Sequence, residues 1–256
     1  MASYSTIANR DKLKALIAAI AMPGLGQIFN GELFKGLCIF SLFIILPLSL
    51  LRIAMALPDS LLMTGIIISL LALLGLYTAG IIDAYKTASQ KGTGYLVKTY
   101  NRWYAYALLW CIGAFWVSGA FVGYAQKNIV MFCRIASESM EPTVTPGDYV
   151  IFDNTVGDKI SPKKGAIVLF RYPDDRSKLY VKRVAGLPGD TLLLEASAPI
   201  VVPHGHVFVL GDNLKHAVDS RVFGPVSLRD VIGKARQIYF SIGPKGIRWE
   251  RMRKKL

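Results

Sequence analysis

The sequence predicts two parts: an α-helical multi-span membrane region over residues 1–127, and a mainly β domain, antiparallel and partly barrel-like, over residues 128–256. Three observations carry this. Apolar residues make up 53% of the 256 and mean hydropathy is +0.40, too oily for a soluble chain of this size. Runs over about 36–57, 61–82 and 103–126 are uncharged or nearly so, and each has the roughly 20 residues that a helix needs to cross a bilayer. From about residue 132 the pattern changes to short alternating runs punctuated by Gly, Pro and Asp.

Residues 15–30, "ALIAAIAMPGLGQIFN", are apolar but interrupted by Pro23, Gly24, Gly26, Gln27 and Asn30, so an interfacial or re-entrant helix fits better than a fourth span. They lead into further spans without a clear stop and cleavage site, unlike a cleavable signal peptide. The first span carries Arg52 near one end, where a long side chain can snorkel. Asp83 ends the second and Lys127 the third, whose "WYAYALLWCIGAFW" has the aromatic crowding of a membrane interface. The loop 86–102 holds Lys86, Lys91, Lys98 and Arg102 and no acid, whereas the "PDS" turn between the first two spans has no base. By the positive-inside rule the basic loop is cytoplasmic, as is an N-terminus bearing Arg10, Lys12 and Lys14, and everything after Lys127 is extracytoplasmic. "PGLGQIFNGELFKG" with "AGIIDAYKTA" resembles two-span membrane modules of the TM2 type. That resemblance carries no chemistry, and ordinary helix packing explains the residues as well.

In the second half, "DYVIFD", "GAIVLFRY", "LYVKRVAGL", "DTLLLE", "HVFVLGD" and "KARQIYFSI" read as strands, with glycines between them or at their ends. A short turn at 139–143 is the only helical feature expected there. The net charge of +13 admits an anionic membrane surface or nucleic acid as partner. Three scattered cysteines give neither a disulfide framework nor a zinc site, so no metal or cofactor is expected.

Three blocks follow in order: "SESMEPTVTPGD" from Ser137, "YVKRVAGLPGD" from Tyr180 and "GDNLKHAVDSRVFGPV" from Gly211. Together they resemble the bacterial type I signal peptidases, membrane-bound serine proteases that remove secretory signal peptides. The resemblance covers roughly residues 133–240 and implies a signal-peptidase-type catalytic domain. It implies Ser139 as nucleophile, Lys182 as general base, and an oxyanion hole formed by the Ser139 N–H with the Ser137 hydroxyl. Met140 and Pro142 would shape the turn bearing Ser139, Gly211 would allow close backbone approach, and Asp212 would share its turn. Asp219 and Arg221 would pair behind the site. The chemistry is consistent with these types. A lysine serves as base only when desolvation lowers its pKa, and strand alternation puts Lys182 on one face with apolar Tyr180 and Val184. A solvated strand lysine and a turn serine are the plainer readings of Lys182 and Ser137.

Two departures stand out. Ala217 occupies the place where most of that family has a serine that bonds the lysine, and Leu214, Lys215 and His216 replace the usual Arg-Asp-Asn. A lost orienting hydrogen bond costs about 1–2 kcal/mol, roughly tenfold in rate. The implied partners are secretory precursors with small-x-small cleavage sites, held between "FCRIA" and "KLYV". The implied location is the bacterial cytoplasmic (inner) membrane. The extra spans are free to bind lipid, bind a translocation machinery, or only anchor; the basic tail "GIRWERMRKKL" is either laid on anionic headgroups or solvated. A peptide-binding relative without activity is the alternative favoured by the departures. A DNA-binding, self-cleaving repressor is disfavoured by three spans and an outward-facing domain, so no nucleic-acid partner is expected.

Overall fold

The computed structural model describes residues 7–8, 11–91, 95–96, 98, 100–155, 163–193 and 199–256. Arg10, part of the basic loop, the end of "DTLLLE" and part of the 191–203 stretch lie outside the described residues. Two compact units emerge: residues 1–56 with 64–124, and residues 57–63 with 125–256.

The first unit is helical. Two short helices, α1 (Lys12–Ala21) and α2 (Leu25–Phe29), cover the segment 15–30, and neither has the length to cross a bilayer. Asp11 caps α1 by accepting from the Leu13 N–H. The break between them falls at Gly24, which sits at φ 87° where a Cβ would lie 2.1 Å from the Gly36 carbonyl oxygen, so only glycine fits. Three longer stretches follow: α3 (Leu33–Ala56), α4 (Asp59–Lys91), and α5 (Trp103–Cys111) continued through a π turn (Ile112–Val117) into α6 (Ser118–Asn128). Each of these is long and apolar enough to cross a membrane, and almost none of their apolar surface is buried within the protein. Side chains such as Ile45, Leu70 and Leu71 point outward, which is unfavourable in water and natural in lipid. Arg52 donates to the Tyr124 hydroxyl at 2.9 Å.

The polar residues of the two TM2-like segments bond each other. Gln27 Nε2 donates to the Gly80 carbonyl and to Asp83, and Asn30 Nδ2 donates to the Ala84 carbonyl at 2.7 Å. They fasten α2 to α4, as buried amides do where no water can satisfy them. A two-residue ladder joins β1 (Ile7–Ala8) to β2 (Tyr95–Leu96).

The second unit is an antiparallel sheet. Its strands are β3 (Val130–Arg134), β4 (Asp148–Asp153), β5 (Ile167–Tyr172), β6 (Asp175–Gly186), β9 (His206–Leu210), β10 (Val226–Ser227) and β11 (Val231–Gly243), in spatial order β10-β9-β6-β5-β11-β4-β3. A short β12 (Gly246–Ile247) folds back on β11, and β7 (Thr191–Leu192) pairs separately with β8 (Ile200–Val201). The partly barrel-like closure expected from the sequence is not present: among the described residues β10 and β3 are open edges. The long β11 pairs with β5 through Val231–Lys234 and with β4 through Lys234–Ser241, with register shifts on the way, so it bends between neighbours without closing the sheet.

Both faces of the sheet are apolar at its centre. Ile167 and Leu169 of β5 pack with Val150, Phe152 and Ile238 on one side; Val168 and Phe170 pack with Val184, Val207 and Val209 on the other. This explains why "AIVLF" shows no polar alternation. Beyond the turn around Ser139, the described residues of the unit include three single-turn helices that the sequence did not signal: α7 (Ser220–Phe223), Leu228–Asp230 and Trp249–Arg251.

Candidate active site

Ser139 sits in a one-turn 3₁₀ helix, Glu138–Met140, whose N-cap is Ser137. Met140, 1% exposed, is driven into the apolar cluster of Val144, Val150 and Phe152, which turns the neighbouring Ser139 toward a cleft. Pro142 follows, and the Val144 N–H bonds the Met140 carbonyl at 2.9 Å. The turn 211–213 holds the other side: the Asn213 N–H donates to the Ser139 carbonyl at 3.1 Å and Asn213 Nδ2 to the Glu138 carbonyl at 3.2 Å. A Cβ at position 211 would lie 2.3 Å from the Ala217 Cβ and 2.6 Å from the Ser139 carbonyl oxygen. Glycine there is a packing requirement.

Lys182 reaches the same point from β6. Its cross-strand partner is Val168, and Val184 shares its face. The ammonium nitrogen lies 2.5 Å from Ser139 Oγ. Both side chains are nearly dry, at 4% and 5% exposure. Tyr180 stands 5.7 Å from the nitrogen and stacks on Tyr172. Burial therefore pushes the lysine down to about 8, and the fields of Asp219 and Asp212 prevent it from falling further.

Those two carboxylates are themselves paired. Asp219, fully buried, accepts from Arg221 Nε at 2.8 Å and Nη2 at 2.9 Å, and from the Gly211 N–H at 3.0 Å. Asp212 accepts from Arg183 at 2.8 and 2.7 Å. Burial alone would raise both carboxyls, but these donors hold them below the usual carboxylate range. Arg183 points away from Lys182, as alternation requires, and the pairing of adjacent strand residues with opposite partners aligns β6 beneath the turn.

The Ser139 N–H donates to Ser137 Oγ at 3.2 Å. In this arrangement the hydroxyl accepts, and the N–H that an oxyanion would need is occupied. A cleft of about 480 Å³ opens over Ser139 and Lys182, walled by residues 133–136 on one side and 179–181 on the other, with His216 and Val218 at its rim. The structure thus brings together Ser137, Ser139, Met140, Lys182 and Gly211, with Asp212, Asp219 and Arg221 behind them. His216 is exposed and is not hydrogen-bonded to Lys182.

Arg183 and Asp148 are the site's unforeseen supports. Asp148, fully buried, accepts from Arg251, Arg248, Ser241 and the Thr145 N–H. Arg251 and Lys254 also donate to the Thr143 carbonyl, both at 3.1 Å. So Arg248 and Arg251 of the basic tail turn inward and clamp the segment that follows Ser139, rather than lying solvated or on headgroups. The signal was available in part: an acid after Gly147 opens an apolar strand. Among the described residues, no group of three or more His, Cys, Asp or Glu side chains is arranged to hold a metal. A hydroxyl beside an amine of lowered pKa, in a cleft deep enough for a peptide, is suited to acyl transfer.

The sequence profile of a family described as "Signal peptidase, peptidase S26" matches residues 108–198 and 193–240. Mitochondrial inner membrane protease subunit 2 of Saccharomyces cerevisiae is 37% identical over 120 residues, covering 43% of this chain and 68% of that protein. Subunit 1 of the Homo sapiens protease is 35% identical over 120 residues, covering 45% and 69%. A crystal structure of a signal peptidase I from Enterococcus faecalis aligns at 25% identity with a TM-score of 0.25, over 29% of this chain and 96% of that one.

Proposed function

This chain belongs to the signal peptidase family, peptidase S26, and we propose that it is a membrane-bound serine endopeptidase that removes signal peptides from precursor proteins, with Ser139 as nucleophile and Lys182 as general base. The observation that carries the reading is the 2.5 Å approach of a dry lysine nitrogen to a serine hydroxyl within one cleft.

Neutral Lys182 takes the proton of Ser139 Oγ as the oxygen attacks the scissile carbonyl. The carbonyl oxygen becomes an oxyanion, to which the Ser139 N–H and the rotated Ser137 hydroxyl donate. As the tetrahedral intermediate collapses, Lys182 returns its proton to the departing amine, leaving an acyl ester on Ser139. Water then attacks that ester, again losing a proton to Lys182, which hands it back to Ser139 Oγ as the ester breaks. With a pKa of about 8, roughly a tenth of Lys182 is neutral at pH 7 and roughly nine-tenths at pH 9. Asp219, Arg221 and Gly211 position the pair without touching substrate.

An extended peptide laid between residues 133–136 and 179–181 would add a strand there, which is how a small-x-small cleavage site would be presented to Ser139. The turn between α3 and α4 lies in the same compact unit as the β domain, which supports their facing the same side of the membrane. We place that side as extracytoplasmic by the charge of the loop 86–102; the resemblance of the three sequence blocks to bacterial type I signal peptidases favours a bacterial cytoplasmic membrane, and the names of the relatives raise the mitochondrial inner membrane as the other setting.

The test is cleavage of a fluorescent Ala-x-Ala signal-peptide substrate in detergent. Wild type cuts it, and Ser139→Ala and Lys182→Ala do not. A folded wild type that neither cuts nor forms a covalent Ser139 adduct with a serine-directed acylating probe favours the second reading, a peptide-binding relative, for which Ala217 and the occupied Ser139 N–H speak.

A further inference from the structure

The cleft over Ser139 is electrostatically one-sided. Its lining includes Arg134, Lys182 and His216 but no Asp or Glu. Lys182 is buried and committed to Ser139. Arg134 is different: it ends β3 at the open edge of the sheet, is exposed, and has no ion pair or side-chain hydrogen bond among the described residues. Arg176, Arg183, Arg221, Arg236, Arg248 and Arg251 of the same unit are each paired with a carboxylate, and of the arginines that are not, among them Arg171, Arg229 and Arg253, Arg134 is the one that lines the cleft among the described residues. A guanidinium left without a partner on the wall of a peptide-sized groove, with no acid opposite it, matches a carboxylate brought by the substrate.

Resting on the peptidase reading, we propose that Arg134 is a specificity-determining residue that selects precursor segments carrying an acidic side chain close to the scissile bond. Arg134 precedes Ser139 by five residues, at most about 17 Å of extended chain, so the acid falls within about five residues of the bond that is cut. The contact is solvent-accessible, so its effect is modest and screened by salt. It sets a preference among precursors and contributes nothing to the chemical step.

The experiment uses the full chain in detergent and a peptide series with one constant Ala-x-Ala site. A single Glu is moved through five positions on each side, and each peptide has a Gln twin. Both kcat/KM and binding, by fluorescence anisotropy on Ser139→Ala, are read for the parent chain and for Arg134→Glu and Arg134→Gln. At one or two adjacent positions Glu should outperform Gln about two- to fivefold at low ionic strength, with the advantage fading near 1 M salt. Arg134→Gln should abolish the difference, and Arg134→Glu should reverse it in favour of the Gln twin. A Glu-to-Gln ratio that is the same in wild type and Arg134→Glu overturns the proposal while leaving the peptidase standing. Charge-selective binding without any cleavage sinks the peptidase reading and keeps the selectivity. Absence of both cleavage and binding removes both.

Discussion

Ser137 Oγ accepts a hydrogen bond from the very N–H with which it would cooperate in holding an oxyanion. It is both the cap of a short helix and a latent donor, and the two roles make opposite demands on its hydroxyl. If only the cap mattered, Ser137→Ala would cost about 1 kcal/mol of stability and leave kcat alone. The donor role instead requires kcat to fall by about 10²–10³ with little change in KM, measured on the Ala-x-Ala substrate. Ala217 makes the second prediction at this scale. It packs beside Gly211 where a hydroxyl bonding Lys182 is usual in the resembled family, so Ala217→Ser should raise kcat by up to about tenfold; a fall would mean that the Gly211 contact tolerates no added atom. The pair Ser139 and Lys182 was legible in the sequence because hydroxyl, lysine and glycine turn stand in three ordered blocks. Arg183 with Asp212, and Asp148 with its arginines, were not. Which charges are buried depends on strands distant in sequence, and neither alternation nor composition reports it.

Among elements, the tail departs furthest from its sequence reading. Basic residues at a chain end suggested solvent or headgroups, yet Arg248 and Arg251 close on Asp148, while Lys254 reaches the Thr143 carbonyl. Burial alone would raise the Asp148 carboxyl; hydrogen bonds from Arg251, Ser241 and Thr145 hold it below its ordinary range. A carboxylate depressed in this way contributes stability that is present above its unfolded pKa and is lost as pH falls through the folded one. Arg251→Ala should therefore lower stability by roughly 3 kcal/mol at neutral pH, with the gap to wild type narrowing in acid below about pH 4, as read by thermal unfolding in detergent. An unchanged melting temperature would show that Arg248 suffices. Strands were largely readable from punctuation, but β3 and the two-residue β8, β10 and β12 were not: the first adjoins the last apolar run and the others are too short to alternate. Barrel closure was overread because spacing between strands says nothing about whether the edges meet.

At the scale of the whole molecule, the second compact unit joins residues 125–256 to a short segment from between the first two long helices. Residues 57–63, the link between α3 and α4 with the first residues of α4, fall in the same compact unit as the β strands. Arg236 of β11 ties them there, pairing with Asp59, with Asp153 at 3.0 Å and with the Leu57 carbonyl at 2.7 Å. "PDS" looked like a bare turn because its partner lies 177 residues away. On the proposed peptidase reading, this ion-paired turn is where the helices could affect the catalytic domain. Asp59→Ala should lower kcat/KM for a full-length precursor in liposomes by about tenfold and leave a water-soluble peptide within about twofold, since only the former depends on the domain's placement. Equal losses on both substrates would make the contact merely structural.

The most direct test of Lys182 acting as the neutral base for Ser139 is the rate of covalent Ser139 adduct formation with a serine-directed acylating probe, followed by intact mass from pH 6 to 10. Because burial lowers the lysine to about 8, the neutral form grows as pH rises, so the rate should climb through about pH 8, level off above pH 9, and vanish in Lys182→Met. A rate that is flat across that range, or that survives the loss of Lys182, would contradict the assignment.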